Sequence, residues 1–210
     1  MTCPARGRDV THTGAVTQRF DGHIVGLGTT SGTRVVVGIW DQSPHGRFAD
    51  AMVERPDGHR ILLAPDAWVA DLVSTTYRFD DVRIVPVAVD GWSIDAGPLQ
   101  ARWSPGTRAP VGWLLRCVPH ALGHREAWAR FCDPIARRVM PGVRTHGTAG
   151  HGRTEWYAAS DAWRVTSSEV RWDGDDLGPL APVDPPVRFG FASAPRTPTL
   201  SRVTSFIRDS

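Results

Sequence analysis

Short apolar runs rich in β-branched residues alternate with turn residues along most of the chain. "HIVGLGTT" (23–30) and "TRVVVGIW" (33–40) flank Ser31-Gly32; "FADAMVE" (48–54) and "HRILLAP" (59–65) flank Pro56-Asp57-Gly58. Each pair reads as a β-hairpin, because glycine supplies the positive-φ backbone that a tight reversal needs. "RIVPVAV" (83–89), "WSIDA" (92–96) and "LQARW" (99–103) continue the pattern up to Pro105-Gly106. Beyond Pro141-Gly142 the predicted strands are "VRTHGTA" (143–149), "RTEWYAASDAWRV" (153–165), "EVRW" (169–172), "VRFGFAS" (187–193) and "LSRVTSFI" (200–207). Several are apolar on both faces, as strands packed between two layers are.

Residues 110–140 change period. Pro110 suits a first helical turn, and Val111, Leu114, Leu115 and Val118 follow at i, i+3, i+4 and i+7. After Pro119, the apolar residues Trp128, Phe131, Cys132, Ile135 and Val139 keep helical spacing. Asp133-Pro134 inside that run reads as an N-cap with proline at N1, so two helical pieces are expected. A shorter helix is expected after Asp66. The arginines and tryptophans of 110–140 fit amphipathic helices laid across a sheet or barrel mouth. The fold class predicted is mainly β (α+β): a single antiparallel β-barrel or cone of about ten strands, with a helical insertion at about 110–140. Residues 1–15 lack periodicity and predict a flexible N-terminal tail; 16–210 form a single β-rich domain, because the insertion has too little apolar surface to fold alone.

Composition narrows the chemistry. The chain has 210 residues, 41% of them hydrophobic, enough for a packed core. The net charge is +2, with arginines scattered among nearly as many carboxylates, so no nucleic-acid partner is expected. No apolar run spans a membrane and the first residues lack a secretory apolar segment, which predicts a cytoplasmic protein. Cys3, Cys117 and Cys132 have no metal-like spacing. Lysine and asparagine are absent. Schiff-base chemistry, a P-loop lysine and a Cys-His-Asn triad are therefore excluded. "GLGTTSG" (26–32) fails as a dinucleotide loop, because a strand follows where a helix must start.

Polar chemistry is densest in "RTHGTAGHGRTE" (144–155). His146, His151 and Glu155 invite a metal reading, but residues five apart on a strand face opposite ways, so no metal is expected. Arg144 and Arg153 beside glycine-rich backbone suit a carboxylate or phosphate, and a plain solvated turn suits the same residues. Beyond it, period-2 alternation sets Glu155, Tyr157, Asp161 and Trp163 on one face, a candidate pocket wall or an ordinary solvent face.

"SPHGRFADAMV" (43–53) resembles the stretch that enters a strand in acetoacetate-decarboxylase-like proteins. The resemblance covers about a dozen residues and implies a β-cone with an apolar interior that binds small carboxylic acids, with Phe48 and Asp50 near the cavity mouth. The absent lysine departs from that family's Schiff-base reaction. The chain as a whole resembles an actinobacterial protein family, a likeness that carries no mechanism.

The function expected is binding of a small, mostly apolar molecule with an acidic or carbonyl group in a barrel cavity, without a cofactor. Arg144, Arg153, Tyr157, Trp163, Phe48 and Asp50 are the candidate ligand contacts. Any chemistry is lysine-independent acid–base work by Glu155 or Asp161 with a histidine, His146 being the candidate. The alternative is a structural or partner-binding protein with no small-molecule pocket, whose exposed tryptophans form an interface.

Overall fold

Both predicted hairpins form. The computed structural model describes residues 16–209; the predicted tail at 1–15 lies outside the described residues. Strands β1 (Thr17–Thr29) and β2 (Arg34–Gln42) reverse over Gly32, at φ 85°, and β3 (Phe48–Glu54) and β4 (Arg60–Ala64) reverse over Gly58, at φ 87°. Helix α1 (Ala67–Thr76) follows, and the Asp66 carboxylate caps it by accepting from the Val69 N–H at 2.9 Å. Next come β5 (Asp81–Ile84), β6 (Val87–Asp90), β7 (Ser93–Ala96) and β8 (Leu99–Arg108). Helices α2 (Pro110–Arg116), α3 (His120–Gly123) and α4 (Glu126–Val139) form the insertion. The chain ends with β9 (His146–Thr148), β10 (Thr154–Trp172), β11 (Asp175–Asp176), β12 (Leu180–Ala181) and β13 (Thr199–Arg208).

The sheet runs β5-β4-β3-β2-β1-β13-β10-β8-β7-β6, with β9, β11 and β12 paired beside this path. Neighbours are antiparallel except β4 and β5, which α1 joins as a parallel pair. β5 and β6 lie at opposite edges, yet only Val85 and Pro86 separate them in sequence. So short a link reaches about 10 Å, so the two edges must come together. The sheet accordingly curls into a half-barrel.

The inside of the curl is filled. Val35, Val37, Ala51, Val53, Ile61 and Leu63 from one end meet Ile94, Leu99, Trp103, Val170 and Trp172 from the other. On the outside, α1 covers Phe20, Phe48, Leu62 and Ile207. An irregular strap over 182–198 covers the rest, setting Val183, Val187 and Phe189 on Val36. Helices α2 to α4 lie on the inner face of β10, where Ala129 packs on Trp156 and Phe206.

Several elements differ from expectation. Pro86 cuts "RIVPVAV" into β5 and β6, since proline has no N–H for the ladder. The two strands predicted at 153–165 and 169–172 are the single strand β10. "VRFGFAS" belongs to the strap, not to a strand. Pro105-Gly106 lies within β8, where its register with β10 slips. α4 is unbroken through Pro134. Asp133 is no N-cap: its carboxylate accepts from Arg144 and from the backbone N–H groups of Thr145 and His146.

Candidate functional site

β10 carries the chemistry, and its faces are not those that simple alternation predicts. Glu155, Tyr157 and Ala159 pair with Ile207, Ser205 and Val203; beyond a bulge, Asp161 and Trp163 pair with Arg202 and Leu200. The bulge adds one residue to β10 against β13, which flips the side-chain parity. Glu155 and Tyr157 therefore face outward beneath α1 and the strap, while Asp161 and Trp163 face into the curl. The expected common face is corrected accordingly.

The outward pair forms a buried acid cluster. Tyr77, which ends α1, donates its hydroxyl to Glu155 Oε1 at 2.6 Å, and Ser205 Oγ donates to the same oxygen at 3.2 Å. The hydroxyls of Tyr157 and Tyr77 lie 2.7 Å apart. Since Tyr77 gives its proton to Glu155, Tyr157 donates to Tyr77, and the bonds form a chain ending on the carboxyl. Glu155 Oε2 is buried and has no hydrogen-bond partner among the described residues. Burial pushes the Glu155 carboxyl up to about 7, against the lowering effect of the hydroxyls. Burial and the neighbouring carboxylate push both phenols well above their usual range.

The strap roofs this cluster. Phe191 stacks on Tyr157 with ring centroids 5.8 Å apart. Gly190 lies so close to Tyr77 that a Cβ there would come within 2.6 Å of the ring. Gly147 of β9 is likewise so close to Phe191 that a Cβ there would clash with the ring. These glycines let the backbone approach the Tyr77 and Phe191 rings closely.

The other candidate residues are placed elsewhere. Asp161 is held by Arg108 at 2.8 Å and Arg116 at 3.4 Å; burial raises its carboxyl, but these guanidinium groups bring it below the usual range. Trp163 has the Arg108 guanidinium 5.7 Å from its ring centre. His146 lies opposite Trp156, across the sheet from Glu155, and its Nε2 is 3.1 Å from Glu126. Arg144 is bonded to Asp133 and Arg153 to Asp209 and Thr75, so neither is a free anion fork. Phe48 sits in the apolar layer under α1 rather than at a mouth. Asp50 is buried beside it, bonded to the Trp40 indole N–H at 3.1 Å, and burial pushes its carboxyl up to about 7. Cys117 is exposed and Cys132 half-buried. Glu155, Asp161 and His146 thus do not converge.

Tyr77 and Ser205 escape sequence reading. One signal was present: the chain has 2 tyrosines, and they meet at Glu155 from 80 positions apart. Two surface depressions lie away from the cluster. One of about 480 Å³ is lined by Asp57, His59, Arg60, Asp80 and Arg188, the other of about 220 Å³ by Arg55, Pro56, Trp172 and Leu177. Among the described residues, no group of three or more His, Cys, Asp or Glu is placed to hold a metal, and no helix is long and apolar enough to cross a membrane. Comparison with protein families, with curated proteins and with solved structures finds no match.

Proposed function

We propose that the protein binds a small, mostly apolar molecule through a carbonyl or carboxyl oxygen, beneath the strap and against Glu155. The observation that carries this reading is Glu155 Oε2, a buried oxygen without a hydrogen-bond partner among the described residues. Oε1 already accepts from Tyr77 and Ser205, so the proton of the neutral acid resides on Oε2. A buried O–H with no acceptor is costly, and a ligand oxygen is the acceptor it lacks. Tyr157 and Phe191 supply flat apolar walls, as small-molecule sites commonly have. The site lies outside the curl, because the interior is occupied by side chains. Acid–base chemistry there rests on Glu155 with the two phenols, not on His146. The likeness of residues 43–53 to acetoacetate-decarboxylase-like proteins favours the same ligand class and adds no residue to this site.

Native mass spectrometry of the purified protein, followed by titration with short- and medium-chain carboxylic acids and ketones, tests the reading. The expected result is a bound ligand whose affinity is lost in Glu155→Ala and weakened in Tyr157→Phe. Because Glu155 loses its proton above about pH 7, carboxylate affinity should fall by up to about tenfold per pH unit beyond that point. If no compound binds, or if binding ignores Glu155→Ala, the reading is wrong.

A further inference from the structure

Helix α4 is amphipathic, yet it does not bury its large apolar residues. Ala129, Asp133 and Ala136 form its buried face. Phe131, Ile135 and Val139 are 63%, 54% and 69% exposed. With half-buried Trp128 they stand at i, i+3, i+7 and i+11, one stripe along the helix. The tether explains this inversion. Asp133 takes bonds from Arg144 and from two backbone N–H groups, and it turns the face of small residues toward β10. α2 behaves likewise: Gly112 is its buried residue, while Trp113 and Leu114 are 60% and 70% exposed on the same side of the sheet.

Charge says what the stripe meets. At about 3.6 residues per turn, Arg125 and Arg138 fall roughly 70° to either side of it. Arg125, Arg130 and Arg138 have no carboxylate partner among the described residues. The acids of α4 are already engaged, Glu126 by Arg208 and Asp133 by Arg137 and Arg144. A second copy on this face would set these unpaired arginines against one another. Side chains this exposed stand proud of their surroundings, so a rigid partner needs a matching groove, whereas a fluid bilayer moulds to them. Apolar residues bracketed by arginine are what an interfacial helix presents to acidic headgroups.

We propose that the exposed stripe of α4, with its flanking arginines, docks the protein on an anionic lipid surface. Sedimentation with vesicles tests this on the full chain. The protein is expected to sediment with mixed phosphatidylcholine–phosphatidylglycerol vesicles and to stay in solution with phosphatidylcholine alone. Phe131→Ser with Ile135→Ser, and separately Arg125→Gln with Arg138→Gln, should each lower the partition by at least about tenfold. These side chains are exposed, so circular dichroism and melting should match the parent. The proposal is overturned by no binding to the acidic vesicles, by binding indifferent to Phe131→Ser with Ile135→Ser, or by equal binding to polyglutamate. A dimer in sedimentation equilibrium that the serine pair dissolves also overturns it, and assigns the stripe to a second copy.

Discussion

Burial does not treat the carboxyls of this chain alike. Asp133 and Asp161 are buried with arginines against them, and these help bring each carboxyl below its usual range. Glu155 and Asp50 are buried among hydroxyls and one indole, and burial pushes each up to about 7. Neutral donors bond a carboxylate but do not cancel its charge. Both groups thus bind protons more tightly folded than unfolded, where an ordinary carboxyl releases its proton near pH 4. Their stabilisation is complete below about pH 4 and is lost as pH rises through about 7. Each is worth on the order of 3 kcal/mol across that window. Urea unfolding should therefore show the protein less stable at about pH 8 than at about pH 5. Asp50→Asn and Glu155→Gln should each flatten the profile and raise stability at the alkaline end. A profile that rises with pH in that window, or one that neither amide changes, is the contrary result.

At the scale of elements, legibility depended on whether the signal was local. The β1–β2 and β3–β4 hairpins were readable because their turns carry the required glycines. The faces of β10 were not, because its bulge falls among Ala158, Ala159, Ser160 and Ala162, which leave no break in the apolar pattern. α4 has the clearest period in the chain, and that period predicted the wrong face. A single carboxylate decides the orientation, and it acts on residues a dozen positions away. Removing it gives a sharp expectation. Asp133→Ala leaves the Arg144 guanidinium and two backbone N–H groups without their acceptor, a loss of about 3 kcal/mol. Denaturant unfolding measures the loss, and hydrogen exchange should quicken first at Thr145 and His146. Unchanged exchange at those amides would show that the tether does not hold α4.

For the whole molecule, closure and cover are the long-range facts. The run "RIVPVAV" gave no sign that its halves lie at opposite edges of one sheet, since Pro86 marks a stop and not a direction. The alternation of Val187, Phe189 and Phe191 predicts a strand, yet these residues belong to the strap and lie on the outer face instead. One buried anchor holds them there. Glu54 accepts from Arg34, from the Arg188 guanidinium and from the Arg188 backbone N–H at 2.7 Å, and Arg34 in turn donates to the Pro185 carbonyl. Arg34 is 3% exposed, so Glu54→Gln strands a buried cation and should cost about 3–5 kcal/mol. The loss should register first in the strap, as faster exchange over 183–194 while the strands beneath keep their protection. The same substitution tests what keeps the acid cluster dry. If strap residues 189–191 exclude water from Glu155, loosening them lets water in, and its carboxyl should move down from about 7 toward the ordinary value. Carboxyl-carbon NMR titration of Glu155 in the Glu54→Gln protein reads this directly. A titration unchanged while the strap exchanges faster would assign the dryness to α1 and β13 and place any ligand entrance elsewhere than under the strap.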